Sequence, residues 1–298
     1  MRNAFIETLT KAAAQDPRIF LVVGDLGFSV IEDFANKFPD RFLNAGVAEQ
    51  NMTGVAAGLA MAGFKVFTYS IANFPTLRCL EQVRNDICYH GLDVTIVAVG
   101  GGLGYGSLGY SHHAVQDMAC LRGFPGILMA TPGDPSETKA VTHALLQYQG
   151  PAYLRLGKGG ELAGGPECSI HEAAIRVIES SGDSILLVCG NILGIAAPWA
   201  QACQVGLASV PLWGTDEGMK QKIRQFVSNY RRVVIVEEHL AAGGFGSFVR
   251  EALESQPQLQ SIVRCCALNA SICEQVGTPD QLRNAGGLNM DSIRNAFA

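Results

Sequence analysis

Apolar positions along this chain fall into short continuous runs, separated by stretches with the spacing of amphipathic helices. Residues 3–15 predict a helix with one buried face. Residues 19–23 are wholly apolar and end at Gly24-Asp25-Leu26-Gly27, which predicts a buried strand and a turn. A short strand is expected over 41–44, a helix over 50–62 stopped by Gly63, a strand over 65–69 and a helix over 75–89. A strand over 94–99 leads into a Gly-rich loop from Gly100 to Gly109. Then come a helix over 113–122, a strand over 126–130, a helix over 135–148 and a strand over 152–156. Such alternation predicts an α/β fold, with a mostly parallel sheet and helices on both faces.

Gly157 to Pro166 is glycine-rich with few apolar residues and reads as a linker. Beyond it the alternation resumes. Strands are expected over 185–188, 205–209, 232–236 and 261–265, and helices near 196–204, 216–229 and 246–255. Two consecutive α/β domains result: 1–158 and 171–298, joined by a linker over 159–170.

Composition narrows the function classes. Of 298 residues, 48% are hydrophobic and 16% charged, so there is ample core material and little charged surface. Surface of that kind is often lost to a partner. The net charge is −5 and no basic run occurs, so nucleic acid is not expected as a partner. No apolar run is long enough to span a bilayer, and the start carries no apolar signal region, which points to a cytoplasmic chain without membrane contact. The nine cysteines include no Cys-x-x-Cys pair, so they read as reduced core residues and no metal site is expected.

Ligands of open parallel sheets bind beyond the carboxyl ends of the strands. Glu49 lies at such a place, where an almost wholly apolar helix begins, and is either a helix cap or a tuned acid/base. Phe74, between Asn73 and Pro75, is either core or a ring face offered to a flat ligand. His112 and His113 follow a loop with six glycines in its first ten residues, which is either a plain surface loop or one approaching a ligand closely. Its spacing fits neither a P-loop nor a dinucleotide fingerprint. Asp25 and Ser29 follow the first strand, where Asp25 also suits a turn. Arg155 is a cation in an apolar strand and needs either a structural carboxylate or an anionic ligand.

Together these residues resemble the transketolase family of thiamine-diphosphate enzymes, over its pyrimidine-binding and C-terminal domains. Gly46-Val-Ala-Glu-Gln-Asn-Met52 is similar to the family's Gly-Val-x-Glu-x-x-Met. Tyr110-Ser-His-His-Ala-Val-Gln-Asp117 is similar to Pro-Thr-His-Gln-Pro-Val-Glu, and Thr131-Pro-Gly-Asp134 to the family's Thr-Pro-x-Asp turn. Gly24-Asp-Leu-Gly-Phe-Ser29 matches the strand end that approaches the cofactor. The resemblance implies cofactor contacts from Glu49, Phe74, Asp25 and Leu26, with Glu49 activating the pyrimidine ring. It implies His112 as proton-moving residue, and substrate contacts from Ser29, Arg78, His112, His113 and Arg155.

Two departures shape the expectation. The diphosphate-binding domain, with Gly-Asp-Gly and a downstream Asn that hold Mg²⁺, is missing. The resemblance therefore implies the C-terminal subunit of a split transketolase. It would be active only with a diphosphate-binding partner, in a heterotetramer with two copies of each. Gly100 and Leu108 stand where the family has a sugar-recognising His and Asp, which points to a modified ketose phosphate or another ketol donor. Two other readings carry less of the sequence: the beta subunit of the decarboxylating component of a 2-oxo-acid dehydrogenase, and a non-catalytic scaffold subunit.

Overall fold

Continuous apolar runs form strands covered on both faces. The computed structural model describes residues 1–159, 168 and 174–298. In the first half, β1 (Ile19–Val23), β2 (Phe42–Asn44), β3 (Lys65–Ile71), β4 (Val94–Val99), β5 (Leu128–Ala130) and β6 (Ala152–Leu156) pair in parallel. Every residue of β1, β4 and β6 is buried, which is why these runs do not alternate with polar residues. In the second half, β8 (Ser184–Cys189), β9 (Gly206–Ser209), β11 (Arg232–Leu240) and β12 (Val263–Leu268) form a parallel set. An antiparallel edge strand, β7 (Arg176–Glu179), lies beside β9.

A short strand crosses between the halves. β10 (Leu212–Trp213) runs antiparallel to β5 and extends the first sheet to the order β10-β5-β6-β4-β3-β1-β2. Trp213 is fully buried, donates from Nε1 to Thr131 Oγ1 at 3.0 Å, and stacks on Phe248 with ring centroids 5.1 Å apart. One buried cluster runs from Val22 and Ile96 of the first sheet through Trp213 to Leu187 and Ile235 of the second. The halves share a core, so the edge between them is fixed by packing as well as by chain connection. The linker expected over 159–170 lies outside the described residues, apart from Gly159 and Cys168.

Most expected elements form, and Gly63 ends its helix with φ of +93°. Two near the carboxyl edge do not. The helix expected over 75–89 is instead a 3-10 turn at Leu77–Cys79, an α turn at Leu80–Gln82 and a wide π turn at Val83–Cys88. Pro75 brings no N–H, and the Thr76 hydroxyl donates to the Ala72 carbonyl at 2.5 Å, so the chain turns before it coils. The helix expected over 113–122 survives only at Asp117–Leu121. Ala114 is instead drawn into a pair of backbone hydrogen bonds with Gly102, each 2.9 Å. The second half also holds helices Pro279–Ala285 and Met290–Phe297, which the apolar pattern did not mark out.

Candidate active site

The carboxyl ends of β1, β3, β4 and β6 meet at one edge, and the candidate residues gather there. Glu49 is the first residue of the helix Glu49–Met61, its carboxylate accepts from side chains rather than from the backbone N–H groups of the first turn, and it is 1% exposed. The capping alternative therefore fails. Oε2 instead accepts from Arg78 Nη1 at 2.6 Å, and Oε1 accepts from Ser70 Oγ at a long 3.4 Å. Gly24 permits this placement, because a Cβ there would press on Ser70 Oγ at 3.2 Å and Glu49 Cγ at 3.5 Å.

The irregular turns after β3 present Phe74 and Arg78 on one side. The Arg78 guanidinium stands 4.5 Å from the Phe74 ring centroid while bonded to Glu49. His112 meets the same ring edge-on, with centroids 5.2 Å apart. Its Nδ1 lies 3.0 Å from Ser111 Oγ, which leaves Nε2 for a ligand. Burial, and then the neighbouring His113, push the His112 pKa below the ordinary imidazole value, so the ring is neutral at pH 7. A cavity of about 260 Å³ opens beside the cluster, lined by Phe74, Leu77, Arg78, Tyr110 and Ser111 among others.

Asp25, Leu26 and Ser29 form the adjacent loop above β1. Asp25 and Ser29 are exposed and both adopt left-handed backbone, with φ of 54° and 65°. Non-glycine residues rarely hold that conformation without support. Asn44 supplies it for Asp25: its Oδ1 accepts from Asp25 N at 3.1 Å and its Nδ2 donates to Asp25 Oδ1 at 2.9 Å. Glu32 Oε1 accepts from Ser29 N at 2.7 Å.

Three expected substrate contacts have partners within the chain. Arg155 is 1% exposed and engaged within the chain. Its Nε donates to Asp117 Oδ2 at 2.8 Å, and its Nη2 to the carbonyls of Ala114 and Glu238 at 2.7 and 3.1 Å. Of the two roles open to it, it takes the structural one, because a cation inside an apolar sheet found its carboxylate within the chain. His113 is 1% exposed, with Nε2 held 3.2 Å from the Gly106 carbonyl. A third, Arg78, sits against Glu49 and Phe74 rather than free at the mouth.

The glycine loop is also packed rather than open. Leu103 N donates to Glu238 Oε2 at 3.0 Å, and Arg283 Nη1 to Glu238 Oε1 at 2.6 Å. A Cβ on Gly106 would meet Leu282 at 2.6 Å, and one on Gly101 would meet Arg155 at 2.7 Å. The second half of the chain thus clamps the loop that carries His112. One exposed cation was missed. Lys158, two residues past β6, stands 4.4 Å from the Tyr105 ring centroid, and Tyr105 lies 6.2 Å from His112. Its place just beyond a strand end was the available signal.

Residues 1–160 match the family model described as transketolase, pyrimidine binding domain. The chain belongs to the transketolase family. It is similar to one of the subunits of apulose-4-phosphate transketolase from Phocaeicola vulgatus, with 33% identity over 267 residues, 86% of this chain and 84% of that one. The corresponding chain from Actinobacillus succinogenes is 30% identical over 306 residues, covering 98% and 96%. A solved structure described as a split gene transketolase, inactive beta4 tetramer, superposes with a TM-score of 0.85 at 29% identity, covering 99% of this chain and 96% of that one. This transketolase chain matches these separate subunits over most of their length.

The site suits the pyrimidine end of the family's cofactor. Arg78 itself tests the fit: a flat group bearing N–H bonds already lies against the Phe74 ring while bonded to the Glu49 carboxylate. Among the described residues no group of three His, Cys, Asp or Glu is placed to hold a metal ion, and no helix is long and apolar enough to cross a membrane.

Proposed function

We propose that this subunit supplies the pyrimidine half of a thiamine-diphosphate site and moves a two-carbon ketol unit from a modified ketose phosphate to an aldose. The carrying observation is the contiguous set Glu49, Arg78, Phe74 and His112 at one sheet edge. Thiamine diphosphate, when bound, supplies an electron sink for breaking a carbon–carbon bond beside a carbonyl. Glu49, once Arg78 has moved aside, would hold a proton on its carboxyl group for a ring nitrogen of the bound group. Phe74 orients the ring by its face. Neutral His112 moves a substrate proton at Nε2, since Ser111 holds Nδ1. Ser29 and Lys158, both exposed, meet the substrate's phosphate. Asp25 and Leu26 border the cofactor from the loop above β1.

The other half of the site, with Mg²⁺ and the diphosphate, belongs in this reading to a partner chain carrying Gly-Asp-Gly and a downstream Asn. Two copies of each chain form a cytoplasmic heterotetramer. Relatives named for apulose 4-phosphate support a modified ketose phosphate as donor, as does the absence of the family's His and Asp at Gly100 and Leu108. The test reconstitutes both subunits with thiamine diphosphate, Mg²⁺, apulose 4-phosphate and an aldose phosphate. Ketol transfer is expected. Release of CO₂ from a 2-oxo acid without ketol transfer would overturn the reading, and so would inertness of the pair on every ketose phosphate tried.

A further inference from the structure

His112 lies in a loop, and within that loop only the Ser111 hydroxyl reaches its ring nitrogens among the described residues. The neighbouring turn fixes the loop from outside. Asn73, 7% exposed and next to Phe74, donates from Nδ2 to two carbonyls, Ser111 O and His113 O, each at 3.0 Å. These carbonyls flank His112 in sequence. The orientation of the amide is unambiguous, because the reverse would set Oδ1 against two acceptors. The carbonyl of Asn73 accepts from Arg78 N at 3.3 Å, so the same residue anchors the turn that carries Phe74 and Arg78. Its Oδ1 has no hydrogen-bond partner among the described residues, although it is buried. That unmet acceptor carries a cost, which the two donated bonds offset.

We propose that Asn73 is a positioning residue, which holds the His112 loop against the Phe74 turn so that imidazole, aromatic ring and Glu49 keep one geometry. Serine or alanine could not span both carbonyls, and aspartate matches the shape but offers no donor. The role assigned to His112 rests on the function proposed above, whereas the positional claim rests on the hydrogen bonds alone.

The first test reads His112 itself, in the full-length subunit. Histidine-labelled protein holds six imidazoles, and His112→Ala identifies the signal. The groups around this ring are His113 beside it, Arg78 over Phe74 and Lys158 over Tyr105. Burial, and then the neighbouring His113, hold the pKa of this ring below the ordinary imidazole value. Asn73→Asp and Asn73→Ala are expected to free the loop and move the titration up towards that ordinary value. An unchanged titration in either folded variant overturns the proposal. The second test uses the two-chain enzyme. Asn73→Ala is expected to lower kcat roughly 10- to 100-fold at little change in cofactor affinity. In a His112→Ala background it should cost less than about twofold. Equal losses in both backgrounds overturn the proposal. Full activity of His112→Ala alone would instead overturn the functional reading, and the titration would still decide the role of Asn73.

Discussion

Two buried carboxylates at the same sheet edge each face an arginine, and they differ in whether that arginine can leave. Asp117 and Arg155 are 0% and 1% exposed, and Tyr153 and two backbone carbonyls share their bonding. The pair ties β6 to the glycine loop and to β11 of the second half. Glu49 is as deeply buried, but its partner Arg78 is 44% exposed at its side chain, comes from an irregular turn and rests on an aromatic ring. The first pair is closed and the second can be exchanged. An arginine sealed inside the chain holds structure, whereas one half in water can leave its carboxylate to a ligand.

The comparison breaks most sharply at Glu49. Glu49→Gln keeps the volume and removes the acid, so turnover of the two-chain enzyme should fall ~10²–10⁴-fold with the fold intact. Circular dichroism and a turnover assay check both halves of that statement, and near-native turnover would return Glu49 to a structural role. Arg155→Met should do the opposite. It strands Asp117 without its cation, at a cost of about 3–5 kcal/mol in stability, visible in a denaturant melt of the subunit. A raised KM for the sugar phosphate with unchanged stability would restore the substrate role that its sequence position suggested.

The pH dependence of that pair has a definite sign. Burial alone would raise the Asp117 pKa, but Arg155, His239 and Tyr153 outweigh it and hold it below the ordinary 3.8. A carboxylate depressed in the folded state contributes stability that is complete above its unfolded value and is lost as pH falls through the folded one. The native subunit should therefore lose stability below about pH 4 by more than Arg155→Met does.

Much of the fold was legible because strands buried on both faces leave continuous apolar runs, as in β1, β4 and β6. The placement of candidate residues was legible where a motif fixes a backbone position: Glu49 at a helix start, Phe74 after a strand. What stayed hidden was pairing across the sequence. Nothing near Arg155 announced Asp117, 38 residues away, and nothing near Glu49 announced Arg78, 29 residues on. Composition left the glycine loop as either a plain surface loop or one approaching a ligand, whereas its glycines make room for Glu238, Arg155 and Leu282. The irregular turns after β3 were hidden for a local reason, since Pro75 brings no N–H and the Thr76 hydroxyl takes the Ala72 carbonyl.

Two smaller effects sharpen the open pole. Lys158→Ala should raise KM for a phosphorylated donor about tenfold, equivalent to one charge-assisted contact, and leave the melt unchanged. An unchanged KM would remove Lys158 from the site and leave Ser29 as its phosphate contact.

The least expected effect belongs to Arg78, and it separates two roles. If the guanidinium only occupies the place of a cofactor ring, Arg78→Ala should bind thiamine more tightly in the isolated subunit. The gain is small, because a pair with one partner 44% exposed contributes at most about 1 kcal/mol, or roughly fivefold in Kd. Titration calorimetry on the subunit alone measures this without the partner chain. If Arg78 instead contacts substrate in the assembled enzyme, the alanine variant should raise KM for the donor, with thiamine affinity of the subunit unchanged. The geometry favours the first outcome: a group that bonds Glu49 and covers Phe74 at once must move before either side chain can meet a ring, so removing it lowers the cost of entry.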